Sequence, residues 1–146
     1  LSRGLGDVYK RQAQAHAEGK TFAAYCYSSH GENHWMRMSA QRFREVDERE
    51  VEEFISSPEW VDMFAHVKRS FAGPFGLGLK VVAPEAGFTW PEEDFDGEES
   101  VNARREALAG DLVARQRLLD YNSGDVQATR AVREWMDAGA PGTTAL

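Results

Sequence analysis

Cysteine is almost absent from this 146-residue chain: Cys26 stands alone. A single thiol excludes an internal disulfide and any thiolate zinc site, and it fits a reducing cytoplasm. No apolar run reaches the roughly 20 residues needed to span a bilayer, and no signal peptide is visible. Positive charge is in deficit, with 17 Lys and Arg against 24 Asp and Glu, a net charge of −7. That balance argues against a broad nucleic-acid-binding surface. It does not argue against a nuclease, whose carboxylates are offset locally by bound metal ions. There is no His-Glu-x-x-His pair, and no Gly-Lys-Ser/Thr follows the Gly76-x-Gly78 turn, so a zinc protease and a P-loop are both excluded. His30 and His34 have i, i+4 spacing, but His30 precedes Gly31 in an expected turn. Cys26 sits among aromatic residues and is expected to pack as a small apolar group.

What is present is a chain with 42% hydrophobic residues, enough for one folded domain. Residues 1–12 (LSRGLGDVYKRQ) show no clean helical or strand period. Their Gly-Asp-Val-Tyr-Lys-Arg-Gln tract looks like a translated sequencing-adapter scar, and they are set apart from the fold. The domain is expected over 13–139, with a loose tail at 140–146.

Aromatic-rich Thr21–Ser28 reads as a buried strand. A helix follows from Glu32 to Phe43. Asp47 caps a short acidic helix with the stripe Val51, Phe54 and Ile55, stopped at Ser57-Pro58. Trp60–Phe71 reads as a helix, broken by Gly73-Pro74. Leu79–Glu85 reads as a short helix, 87–91 as an irregular aromatic stretch and the acidic run 92–99 as loop. Ser100 is expected to cap a helix to Leu108, Asp111 one to Tyr121, and Asn122 a last one ending near Ala138-Gly139. One strand makes no sheet, so the pattern points to a mixed α/β domain whose other strands lie outside this chain.

The richest segment is LLDYNSGDVQATR, residues 118–130. Asp125 shares a helical stripe with Ala128, Thr129, Val132 and Met136, which turns it inward. An inward carboxylate is costly unless paired or bound to a cation. Tyr121, one turn earlier, can hold a water beside that cation. The competing account makes Asp125 the third residue after an Asn122 cap, where an acid favours the helix dipole. Glu32 is the second carboxylate, placed after a strand where α/β sites gather, or else simply a helix N-terminal acid. Asp62 is the third, with the same ambiguity. Lys68, Arg69, Lys80, Arg104, Arg105, Arg130 and Arg133 are candidate phosphate-facing cations. Lys80 and Arg130, with Asn122, are the candidates for substrate contact.

Several motifs in order resemble one family. LLDYNSGDVQATRAVREWM (118–136) resembles the C-terminal motif of the YprB/RecB-associated RNase H-like nucleases, within the DnaQ-like, DEDD-type 3′–5′ exonuclease superfamily. GLGLKVVAPEAGFTW (76–90) resembles that family's Ser-Leu-Lys element, WVDM (60–63) its Val-Asp-Leu element, and FAAYCYSSHGEN (22–33) the strand that supplies its second acidic motif. The resemblance covers about residues 20–138. It implies an RNase H-like (DnaQ-like exonuclease) α/β fold, truncated here, with most of the N-terminal sheet missing and a helix-rich C-terminal part. It implies phosphodiester hydrolysis by two Mg²⁺ or Mn²⁺ ions on DNA or RNA. Asp125 and Glu32 would be metal ligands, Asp62 a supporting one, and Tyr121 would orient or deprotonate the attacking water. Helicase or RecB-like nuclease domains are the implied partners.

Three departures stand out. No Asp-x-Glu, the family's bridging first motif, lies upstream of residue 20. Gly124 replaces an acid usually carried before the final Asp. Asn102-Ala103-Arg104 replaces a usually aromatic stretch. The chain is therefore expected to be inactive by itself, as the C-terminal part of a nuclease domain. The alternative is a degenerate nuclease-fold module for nucleic-acid binding or regulation in a larger protein.

Overall fold

The computed structural model describes residues 2–44, 46–91 and 97–144. The chain forms two compact units, Leu1–Phe71 and Ala72–Leu146.

The first unit opens with helix α1 (Ser2–Ala17). Residues 1–12, expected to stand apart from the fold, are thus mostly helical from Ser2 onward. Leu5 and Tyr9, one turn apart, pack against Ala40, Val46 and Val51, and the Tyr9 and Phe54 rings lie 5.6 Å apart. Two apolar residues at i, i+4 seat the helix on that core.

Strand β1 (Ala24–Cys26) is shorter than the expected 21–28. Helix α2 (Ser29–Phe43) begins three residues before Glu32. Asp47 and Glu50 close a reciprocal capping box on helix α3 (Glu48–Ile55), which buries Val51 and Phe54. Trp60–Asp62, expected to open a helix, is instead strand β2. It pairs parallel with β1, Ala24 against Trp60, Tyr25 against Val61 and Cys26 against Asp62. The chain therefore carries two strands of its own sheet. Helix α4 (Met63–Ser70) starts directly after, capped by Asp62, and buries Met63 and Val67.

The second unit contains helices α5 (Leu79–Glu85), α6 (Gly97–Leu108) and α7 (Leu112–Asp137). The expected loop at 92–99 falls partly outside the described residues; from Gly97 the chain is helical, so Ser100 lies within α6 rather than capping it. Asp111 caps α7 by accepting from the backbone N–H groups of Val113 and Ala114 at 2.8 and 3.0 Å.

Helix α7 does not break at Asn122. Asn, Ser and Gly at 122–124 each disfavour a helix interior, by up to about 1 kcal/mol. The buried stripe Ala114, Gly124, Ala128, Val132 and Trp135 runs across them without a phase change, and packing against α5 and α6 overrides the propensity. Trp135 also ties down the expected loose tail: its Nε1 donates to the Pro141 carbonyl at 3.0 Å, and Ala140 is buried.

Candidate functional site

Of the sequence-predicted residues, Glu32 and Asp62 belong to the first unit. Lys80, Tyr121, Asn122, Asp125 and Arg130 belong to the second.

In the first unit both acids lie at the carboxyl end of the two strands. Asp62 ends β2 and is committed to backbone. Oδ1 accepts from the N–H of Ser28 and Phe64 at 3.0 Å each and of Ala65 at 3.4 Å; Oδ2 accepts from Ser29 N–H at 3.0 Å. Ser28 is held at φ 72, a left-handed conformation that favours glycine. Asp62 thus clamps the β1–α2 turn and caps α4 together. Burial raises its pKa, but hydrogen bonds from Ser29, Ser28 and Ala65 outweigh burial, and the carboxyl lies below its ordinary value. With both oxygens engaged, Asp62 is a structural clamp more readily than a metal ligand.

Glu32 is exposed, in the first turn of α2. Its charge reaches Cys26: burial first, then Asp62 and then Glu32 push that thiol up to about 12. Such a thiol is no nucleophile at neutral pH, which agrees with its expected role as packing. Its sulfur lies 3.7 Å from the Val61 carbonyl oxygen.

The second unit brings Lys80, Tyr121 and Asp125 together, and adds two residues without an expected role, Trp90 and Gly124. Gly87, at φ 81, turns the chain at the end of α5, and the Phe88 N–H returns to the Ala83 carbonyl at 2.9 Å. That reversal delivers Phe88 and Trp90, whose rings meet edge-on at 5.1 Å. The Trp90 indole is buried and lies over Gly124. A β-carbon at residue 124 would stand 2.8 Å from Trp90 Cδ1 and 3.1 Å from Nε1. From that position Trp90 Nε1 donates to Asp125 Oδ1 at 3.0 Å. The Lys80 ammonium sits 3.8 Å from the Trp90 ring centroid and 5.1 Å from that of Tyr121, held by cation–π attraction to both.

Asp125 lies in the middle of α7, far from either end. The helix-capping account of it therefore fails. Burial pushes its carboxyl above the ordinary carboxylate range, opposed by the Trp90 hydrogen bond and the Lys80 charge. Its own carbonyl accepts from Thr129 Oγ1 at 2.9 Å. Asn122 is exposed. Arg130, nine residues after Tyr121, is roughly half a turn round the helix from it, where its Nε pairs with Glu134 at 2.7 Å. The structure places Arg130 on a different face from the Lys80–Trp90–Asp125 cluster.

Oxygen-only donors suit Mg²⁺ and Mn²⁺. A half-buried carboxylate whose ionised form is disfavoured by burial is one that a bound cation stabilises. Asp125 fits such an ion in kind, as does Glu32 in the first unit. Among the described residues, however, no group of three or more His, Cys, Asp or Glu is gathered to hold a metal. Among those residues, too, no helix is long and apolar enough to cross a membrane.

Sequence inspection singled out Lys80, Tyr121 and Asp125 but assigned nothing to Trp90. The signal was Gly124 itself: a glycine inside an apolar helical stripe marks a close approach by something else.

The family model described as RNase H superfamily covers residues 8–137. No curated protein and no solved structure matches the chain.

Proposed function

Because the chain belongs to the RNase H superfamily, we propose that it is a nuclease domain of the metal-dependent, DnaQ-like 3′–5′ exonuclease kind, with Asp125 and Tyr121 in its site. The observation that carries this is the setting of Asp125: mid-helix, half-buried, unexplained by capping, and one turn from Tyr121. Nucleic acid is the substrate, and helicase or RecB-like nuclease domains are the partners in which such a unit would work.

In the second unit Asp125 would hold a hard divalent cation, Mg²⁺ or Mn²⁺; in the first unit the available carboxylate is Glu32. When bound, that cation supplies charge stabilisation for phosphodiester hydrolysis. The chain's own residues do the rest. Asp125 keeps one oxygen on Trp90 and offers the other. The Tyr121 phenol orients the water that attacks phosphorus as the sugar oxygen leaves. The Lys80 ammonium adds positive charge where a phosphate would lie.

A second reading is favoured by one observation. Lys80, held between two rings, already supplies Asp125 with a positive neighbour. In that case the cluster is an internal ionic lock, and the domain binds or regulates without cutting.

Cleavage of labelled single-stranded DNA and RNA with Mg²⁺ or Mn²⁺ separates the two. It should be measured for the chain alone and for the chain preceded by a strand carrying Asp-x-Glu. The expected result is ion-dependent cleavage in the second form, lost in Asp125→Asn and slowed roughly 10²–10⁴-fold in Tyr121→Phe. Full activity in Asp125→Asn removes Asp125 from the site; binding without cleavage in both forms favours the lock. Asp125→Asn should also melt no lower than the wild type at neutral pH. The wild-type carboxyl has a raised folded pKa, so its stabilisation is present below the ordinary carboxylate value and lost as pH rises through the raised one.

A further inference from the structure

We propose that Trp90 is a positioning residue for Asp125, and that Gly124 is the slot that lets it serve. The inference rests on the reading of Asp125 as a site carboxylate. An Asp side chain on a helix face has two soft torsions, and a catalytic carboxylate gains from being held in one orientation. Trp90 fixes Asp125 from outside the helix. Its N–H donates to Oδ1 at 3.0 Å, and the indole that carries the N–H is itself immobilised on three sides. Phe88 meets its ring edge-on at 5.1 Å. The Lys80 ammonium caps its face at 3.8 Å. Gly124 receives it so closely that a β-carbon would stand 2.8 Å from Cδ1. A buried indole N–H needs an acceptor; here the acceptor is the Asp125 carboxylate, one residue beyond the glycine that seats the ring, so satisfying the N–H and orienting the carboxylate are one contact.

The test is Trp90→Phe, which keeps an aromatic side chain at residue 90 and removes the N–H together with the five-membered part of the indole that lies on Gly124. Three-bond couplings across the Asp125 Cα–Cβ bond report its rotamer in the intact chain. The expected result is one staggered rotamer in the wild type and a mixture in Trp90→Phe, with the backbone amide spectrum otherwise preserved. A single unchanged rotamer in the variant overturns the proposal, because packing alone would then hold Asp125. If Trp90→Phe fails to fold, hydrogen exchange of the Trp90 indole N–H decides. That exchange should quicken at least about tenfold in Asp125→Ala, following loss of a charged acceptor, and an unchanged rate overturns the proposal. Neither readout uses cleavage. An active Asp125→Asn would therefore sink the site reading while leaving the Trp90 result to stand or fall separately.

Discussion

Gly124→Ala sets two opposing effects against each other at one atom. In an exposed helix interior, replacing Gly by Ala stabilises by about 1 kcal/mol, because Ala restricts the unfolded chain and favours the helix. Gly124 lies well inside α7, and by propensity alone the change should help. The added methyl, however, would fall 2.8 Å from Trp90 Cδ1 and 3.1 Å from Nε1. Atoms this close must move apart, and the ring is not a free side-chain end. It is buried, and it contacts Phe88, Lys80 and Asp125. Overpacking a constrained site costs about 1–3 kcal/mol, so the clash should exceed the propensity gain. The expected net effect is a destabilisation of about 1 kcal/mol, or roughly 2–4 °C in melting temperature for a chain of this length.

Urea denaturation of a four-member cycle measures it: wild type, Gly124→Ala, Trp90→Leu and the double variant. With the indole gone, Gly124→Ala should revert to stabilising by about 1 kcal/mol. The sign of the same substitution thus depends on residue 90, and the coupling should be about 2 kcal/mol, within the range for touching residues. A stabilising Gly124→Ala in the wild-type background would refute the reasoning. The indole would then not lie on this helix, and the Trp90–Asp125 hydrogen bond would fall with it.

Three further outcomes follow from the first unit. Tyr9→Ala should lower stability by about 2 kcal/mol, below the ~3–5 of a fully buried aromatic, since the ring packs on Phe54 and the α2–α3 core; an unchanged melting temperature would return residues 1–12 to the status of a tail. Tyr9→Phe should be neutral or stabilising by up to about 1 kcal/mol, because the buried hydroxyl has no partner among the described residues and burial, with Glu50, pushes its pKa up to about 12. Asp62→Ala should cost about 1–2 kcal/mol from the lost cap alone. Its effect should shrink on acidification: a lowered folded pKa gives stability present above the ordinary value of 3.8 and lost as pH falls through the lowered one. A pH-independent difference would mean that the carboxylate charge plays no part in the clamp.

Where the sequence was legible, the signal was local. The Asp47 and Asp111 caps and the limits of α5 follow from caps and breakers within a few residues. The inward stripe of α7 was legible for the same reason, and it brought Asp125 and Tyr121 into view; Lys80 stood apart from it, among the candidate phosphate-facing cations. Strand β2 was not legible, because three residues show no period and Trp60–Asp62 runs straight into the stripe of α4. Only its pairing with β1, 36 residues earlier in register, makes it a strand. Residues 122–124 misled in the opposite direction. Asn-Ser-Gly reads as a helix start, yet the helix passes through, because what Gly124 accommodates is an indole from residue 90 rather than a turn. The glycine at 124 and the missing role for Trp90 are therefore one feature. A side chain at 124, acidic or otherwise, would displace the ring whose N–H holds Asp125, so in this chain the glycine is the condition under which the neighbouring carboxylate is fixed.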